Sequence, residues 1–382
     1  MSATTRLRSE RGYSLIELLI SSAIMVTITG AIFALVNPSQ GTSQTAPEIS
    51  DLQQRSRVAT DRLFSELMMT GAGPYQGARV GALVNYFTPI MPRRVGRIAP
   101  DPLDAFRTDT ITLAYIPNTY SQTTIAAAMP NVSAELKVKD DFGNCAAADP
   151  LCQFEEGMEL IIFDSSGNFD AFTITEVQGD AAHLQHRGQD LSYPYQIGAT
   201  VTQMRRNVYY WCRPGGDRIC PEDGTASQLR MYNAGNTDVA LVDHVTGLTF
   251  EYFGDTNPPL NPKPPIGSNI ENCLYDAAGN YKNLPVLPAD EGSLARLTAA
   301  ILADATPDTA EMCGAGSSQY DPDLLRIRKV KVTLRVQVAA ESLRGSNPLL
   351  FSNPGVAQES ARQVPDYTVA FEIAPRNLNL TR

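Results

Sequence analysis

The chain has 382 residues, a formal net charge of −10 and 43% hydrophobic residues, enough for one large or two modest domains with a real core. Its first twelve residues carry +2 (Arg6, Arg8 and Arg11 against Glu10), so the remainder carries −12. An acidic body repels phosphates and excludes nucleic acid as the main expected partner. Arginines just ahead of an apolar span stay cytoplasmic and put the rest of the chain across the membrane.

Residues 13–36 read as one helix, roughly 36 Å long at 1.5 Å per residue. No residue from Leu18 to Val36 is charged, yet Glu17 stands at the start of the run. A carboxylate there is costly to bury unless a positive group meets it. Asn37-Pro38 predicts an interruption or kink, because proline lacks a backbone donor, and the polar stretch "SQGTSQTAPE" follows. Helical periodicity resumes over residues 48–70, with Ile49, Leu52, Ala59, Leu63 and Leu67 on one stripe that packs on its own domain. Gly71 and Gly73 suit the stop, so the helical region closes at residue 72.

Residues 73–382 form the second region. "DTITLAYI" alternates as a half-buried strand, and "MELIIFDSSGNFDAFTITEV" reads as a hairpin turning at Ser-Gly-Asn. The strands "ATVTQMRRNVYYWC", "QLRMYN" and "DVALVDHVTGLTFEYFG" come next. Residues 255–315 are a Pro- and Asn-rich excursion with a short helix expected in "DEGSLARLTAAILADA". "LLRIRKVKVTLRVQV" then alternates basic and apolar residues, one face wet and one buried, and "DYTVAFEIAPRN" is the last strand. The fold class is α+β: a long amino-terminal transmembrane or filament helix followed by an antiparallel β-rich globular head.

Six cysteines, Cys145, Cys152, Cys212, Cys220, Cys273 and Cys313, lie in loop-like settings. An even number suggests disulfides and an oxidising compartment. Among the 15 possible pairings, sequence proximity favours Cys145 with Cys152, Cys212 with Cys220, and Cys273 with Cys313, the last tying down the excursion. The two short loops stabilise by roughly 2.5 kcal/mol each and the long one by about 4 kcal/mol on the loop-entropy model. No C-x-x-C occurs and the histidines are not near cysteines, so no zinc site is expected.

No catalytic constellation stands out. His183 and His186 in "HLQH" point to opposite faces if on a strand, so a structural or surface role is expected for both and for His244. "DSSGNFD" places Asp164, Ser166, Asn168 and Asp170 like a calcium loop, but Thr175 stands where the bidentate glutamate belongs, and a hairpin turn explains the pattern. "QMRRNVYYWC" mixes arginine with aromatics; on an acidic protein a half-exposed strand explains it better than contact with nucleic acid. No phosphate loop, G-x-S-x-G or H-E-x-x-H appears, so neither enzymatic activity, a cofactor nor a metal is expected.

The opening run uses all its features together in one family. "RGYSLIELLISSAIM" resembles the class III signal of type IV pilins and pseudopilins. The resemblance implies that a prepilin peptidase/methyltransferase removes residues 1–12, cutting between Gly12 and Tyr13, and N-methylates Tyr13. Phenylalanine is the usual first residue there; tyrosine keeps the aromatic. Glu17 becomes the fifth residue of the processed chain. It would serve assembly, its carboxylate meeting the Tyr13 ammonium of a neighbouring subunit. Residues 13–36 stay as the transmembrane half of the helix, and 48–70 as its amphipathic half. The order "LVDHVTGLTFEYF", a variable excursion, "LLRIRKVKVTLRVQV" and a strand ending "APRNL" resembles the PilW-type minor pilins. It is similar, more distantly, to the J-type pseudopilins of type II secretion. The resemblance implies a minor pilin that initiates, and caps, a type IV pilus with other minor pilins and the major pilin. Its head would be periplasmic on an inner-membrane anchor before assembly, and surface-exposed in the pilus afterwards. The alternatives are a J-type pseudopilin and a pilus-tip adhesin or DNA-binding subunit.

Overall fold

The structure, a computed structural model, describes residues 13–73, 83–119, 121–142, 145–215, 220, 226–282, 284–303, 312–314, 319–358 and 362–380, with backbone only for 34–44. Helix α1 spans Leu15–Met69. It runs through Asn37-Pro38, where the sequence predicted an interruption or kink. One absent donor costs about 3 kcal/mol, which long helical stretches on both sides outweigh. Of the predicted stripe, Leu52, Ala59, Leu63 and Leu67 are buried, while Ile49 is exposed; Ser56, Glu66 and Thr70 join the buried set. The stop falls where glycine permits it: Gly71 has φ +77° and its N–H donates to the Ala114 carbonyl at 3.0 Å.

The strands follow in chain order: β1 (Ile90–Met91), β2 (Thr110–Tyr115), β3 (Gln122–Thr124), β4 (Leu136–Lys137), β5 (Glu159–Phe163), β6 (Phe169–Thr173), β7 (Glu176–Gln178), β8 (His183–Gln185), β9 (Thr200–Gln203), β10 (Arg205–Cys212), β11 (Gln228–Tyr232), β12 (Asp238–Asp243), β13 (Val245–Asp255), β14 (Leu294–Leu297), β15 (Ile327–Val336) and β16 (Tyr367–Ile373). Four sheets result, ordered β1-β2-β10-β11-β12, β14-β13-β15-β16, β3-β9-β5-β6 and β4-β8-β7, and every strand pair is antiparallel. The protein is α+β, with an amino-terminal apolar helix and a β-rich remainder.

The chain divides into two compact units, the described residues up to Gln53 with Val338–Asp366, and Gln54–Gln337 with Tyr367 onward. In the first, Val338, Leu343, Phe351 and Val364 are buried. Backbone bonds from Val364 to Leu343 (2.9 Å) and from Asp366 to Leu350 (3.0 Å) order a segment whose described residues form no strand. All four sheets belong to the second unit.

Within that second unit, α1 meets β10 through polar contacts. Glu66 takes a hydrogen bond from the Asn207 side chain (2.9 Å) and an ion pair from Arg62 (2.9 Å), and Arg62 Nε donates to the Tyr209 hydroxyl (3.1 Å). Burial and the Glu66 charge push the Tyr209 hydroxyl well above its ordinary pKa. This cover corrects two expectations. All six residues of β2 are buried, where alternation was predicted, and Asn207–Tyr210 of β10 are buried, where a half-exposed strand was predicted. β10 is central, bonded to β2 on one side and β11 on the other. β15 keeps its alternation, with Lys329, Lys331 and Arg335 on the wetter face and Val330, Val332 and Leu334 buried.

The excursion follows its expectation in part: the short helix is present as α2 (Ala299–Leu302). "LARL", just ahead of it, is not helical: it is β14, paired with β13 at the sheet edge. The β-branched and aromatic edge of β13 offers unsatisfied backbone groups, and a short segment gains more from pairing them than from one isolated helical turn. The three disulfides pair as proximity favoured, Cys145–Cys152, Cys212–Cys220 and Cys273–Cys313.

A hydrophobic core joins the β3-β9-β5-β6 and β4-β8-β7 sheets. Leu160, Ile162, Phe172 and Val201 meet Leu136 and Leu184, with Leu151 added from the segment closed by Cys145–Cys152 and Phe154 from just beyond it. Replacing both Cys145 and Cys152 with serine is expected to cost about 2.5 kcal/mol. Urea unfolding of the full chain in neutral detergent should show a lower midpoint; an unchanged midpoint would contradict this role for the bridge.

Candidate functional site: the amino-terminal helix

The first nineteen residues of α1, Leu15–Phe33, have a mean hydropathy of 2.0 and none is buried within the chain. At 1.5 Å per residue they reach about 28 Å, close to the hydrocarbon thickness of a bilayer. Leu15, Met25, Val26 and Phe33 are each more than two-thirds exposed. A core helix of a soluble domain would bury such a surface. An amino-terminal apolar helix of this kind fits a membrane anchor or a signal sequence.

Polar groups in the span satisfy themselves. Ser21 Oγ donates to the Glu17 carbonyl (2.8 Å), Ser22 Oγ to the Leu18 carbonyl (2.7 Å) and Thr27 Oγ1 to the Ala23 carbonyl (2.7 Å). Hydroxyls bonded back one turn add little cost in a medium without water.

Glu17 has a role that the sequence reading missed. "SLIE" is a capping box: Ser14 precedes the first helical residue, and Glu17 stands three positions later. The Ser14 N–H donates to Glu17 Oε2 at 2.9 Å, and the Ile16 N–H to Ser14 Oγ at 3.3 Å. The S-x-x-E spacing ahead of an apolar run was the available signal. A carboxylate in the first turn also opposes the helix dipole favourably. Among the described residues no cation pairs with Glu17, so one oxygen remains for a partner outside them. Tyr13 is 91% exposed. Gly12, the other half of the expected cleavage junction, lies outside the described residues.

The remaining sequence candidates belong to the second unit and hold local structure. Asp164 accepts from the Ser166 and Asn168 backbone N–H groups (2.8 and 3.1 Å) and from the Asn168 amide (2.9 Å), with Gly167 at φ +91°. The hairpin turn is therefore built by Asp164 itself. Asp170 instead accepts from the Ser192 and Tyr195 hydroxyls, both at 2.8 Å. Burial raises its carboxyl pKa despite these bonds. His186 is buried between the Gln189 and Ala134 carbonyls (2.6 and 2.8 Å). His183 faces Glu135 at 3.0 Å, and His244 takes positive φ at the β12–β13 junction, its carbonyl accepting from Gln337.

Compared with family profiles, characterised proteins and solved structures, the chain matches none.

Proposed function

We infer that this chain is a pilin-like filament subunit, a minor pilin of the PilW type that starts assembly of a type IV pilus. The observation that carries the reading is the exposed apolar helix Leu15–Phe33, headed by Tyr13 and Glu17 and preceded by Arg11-Gly12. An anchor alone uses Glu17 only as a helix cap, a task that needs no negative charge. A filament core does: cleavage before Tyr13 creates an ammonium, and a neighbouring Glu17 neutralises it in apolar surroundings. The capping bond engages one carboxylate oxygen and leaves the other to the neighbour. The disulfide-bonded head matches a compartment beyond the inner membrane. Before assembly the helix anchors the chain there; afterwards the head projects from the pilus among other minor pilins and the major pilin.

Deletion of the chain from its host is the test. Sheared surface filaments should fall steeply in number, return on complementation, and contain the chain. Normal filaments with impaired protein export would instead favour the J-type pseudopilin reading.

A further inference from the structure

A cleft of about 760 Å³ lies within the second unit, where residues 93–103, the β11–β12 turn, β10 and the β5–β6 pair meet. Six arginines line it, Arg62, Arg93, Arg94, Arg97, Arg205 and Arg206, against two acids, Asp101 and Glu159. That is an unusual concentration on a chain of net charge −10.

Pairing inside the protein does not exhaust these cations. Arg206 is neutralised by Glu159 (2.6 Å) and Arg62 by Glu66 (2.9 Å). Arg94 reaches Asp238 at 3.4 Å, but Asp238 also holds Arg230 (3.0 Å) and the Tyr210 hydroxyl (2.7 Å). Asp101 is engaged by Arg107 at 2.7 Å. Arg93 donates to the carbonyls of Leu103 and Gln319, which carry no charge. Among the described residues, Arg93, Arg97 and Arg205 form no carboxylate ion pair. Arg94 Nη1 and Arg93 Nε are buried without a hydrogen-bond partner.

The frame is fixed in advance. The Arg94 guanidinium lies over the Tyr210 and Tyr232 rings, 4.7 and 4.2 Å from their centroids. The Tyr232 hydroxyl accepts from the Arg97 and Ile98 N–H groups (2.8 and 2.9 Å) and donates to the Gly235 carbonyl (3.0 Å). Gly96, at φ +114°, lets this loop approach the turn, since a Cβ there would stand 2.4 Å from the Ala234 oxygen. The Arg94 guanidinium and the backbone of the loop that carries Arg97 are thus held without a ligand to order them.

We propose that this cleft binds a small polyanion carrying two or more phosphate or carboxylate groups. Planar guanidinium forks match both oxyanions, and the volume falls in the range of small-molecule sites. Met158, Phe172 and Met204 supply apolar wall for a carbon frame. The site does not depend on the filament reading.

The test is calorimetric titration of the full chain in neutral detergent at about 0.15 M salt. Inorganic tripolyphosphate and citrate are the two probes, and their ranking identifies the oxyanion. One-to-one binding by at least one probe is expected, with Kd on the order of 10 µM. The double variant Arg97→Ala/Arg205→Ala, at two exposed positions, should weaken it about 100-fold while circular dichroism and the thermal midpoint stay unchanged. Should that variant fold poorly, Arg97→Gln alone should weaken binding about tenfold. No saturable binding of either probe, or binding indifferent to these variants, overturns the proposal. So does a single-stranded oligonucleotide that displaces tripolyphosphate and binds more than about tenfold tighter, which would assign the cleft to a nucleic-acid strand.

Discussion

Replacing Glu17 with alanine or with glutamine is expected to leave a cleaved, membrane-held chain that fails to enter filaments. Either change removes a charge that lipid disfavours, so insertion survives. In a filament, however, each change strands the neighbouring Tyr13 ammonium in an apolar core. Breaking one side of a buried pair costs about 3–5 kcal/mol, which corresponds to roughly two to three and a half orders of magnitude in incorporation. The glutamine variant separates this role from capping. Glutamine serves at the third helical position of a capping box nearly as glutamate does, so the Ser14 N–H, now 2.9 Å from Glu17 Oε2, keeps an amide oxygen as acceptor. Quantifying the chain in sheared filaments and in membranes decides between them. Loss of both variants from filaments supports the inter-subunit pair; normal incorporation of Glu17→Gln with loss of Glu17→Ala would make Glu17 a helix cap and nothing more.

The second large effect is expected at Arg326. Its side chain is fully buried, ion-paired to Asp323, and donates to the Thr256 and Pro285 carbonyls at 3.0 and 2.8 Å. Thr256 and Pro285 belong to the excursion, so one guanidinium fastens both to the turn that precedes β15. Arg326→Ala leaves a partly buried carboxylate and two carbonyls without their donor, a loss of about 3 kcal/mol or more. The thermal midpoint should fall by roughly 6–20 °C, with hydrogen exchange rising first over residues 256–297. Arg326→Lys keeps the charge but lacks the fork, and should recover only part of the loss. A midpoint within a degree of the parent chain would show that the excursion is held by other contacts, the Cys273–Cys313 bridge foremost.

How legible this was in the sequence depended on the range of the interactions. The alternation of β15, the 159–173 hairpin and the stop at Gly71 are set by neighbours a few residues away, and each could be read directly. The disulfides paired as proximity suggested because their loops are short or tie a single excursion. β2 and β10 could not be read as buried on both faces, since the cover comes from α1 more than forty residues before β2. "LARL" has helical composition and became a strand only because β13 offered an open edge. The helix cap at Ser14 and Glu17 is local, and its S-x-x-E spacing ahead of an apolar run is readable in the sequence. The arginine cleft was not legible at all. Its cations come from α1, the 93–97 loop and β10, and nothing in the spacing of those segments announces that they meet.

The most direct test of the account is the amino-terminal mass of the chain isolated from native membranes and filaments. The filament reading requires a mature protein that begins at Tyr13 with an N-methylated amine, and a Gly12 to bulky-residue variant that retains residues 1–12. A native chain that still begins at Met1, or one cut beyond Pro38 so that the apolar helix is lost, would contradict it.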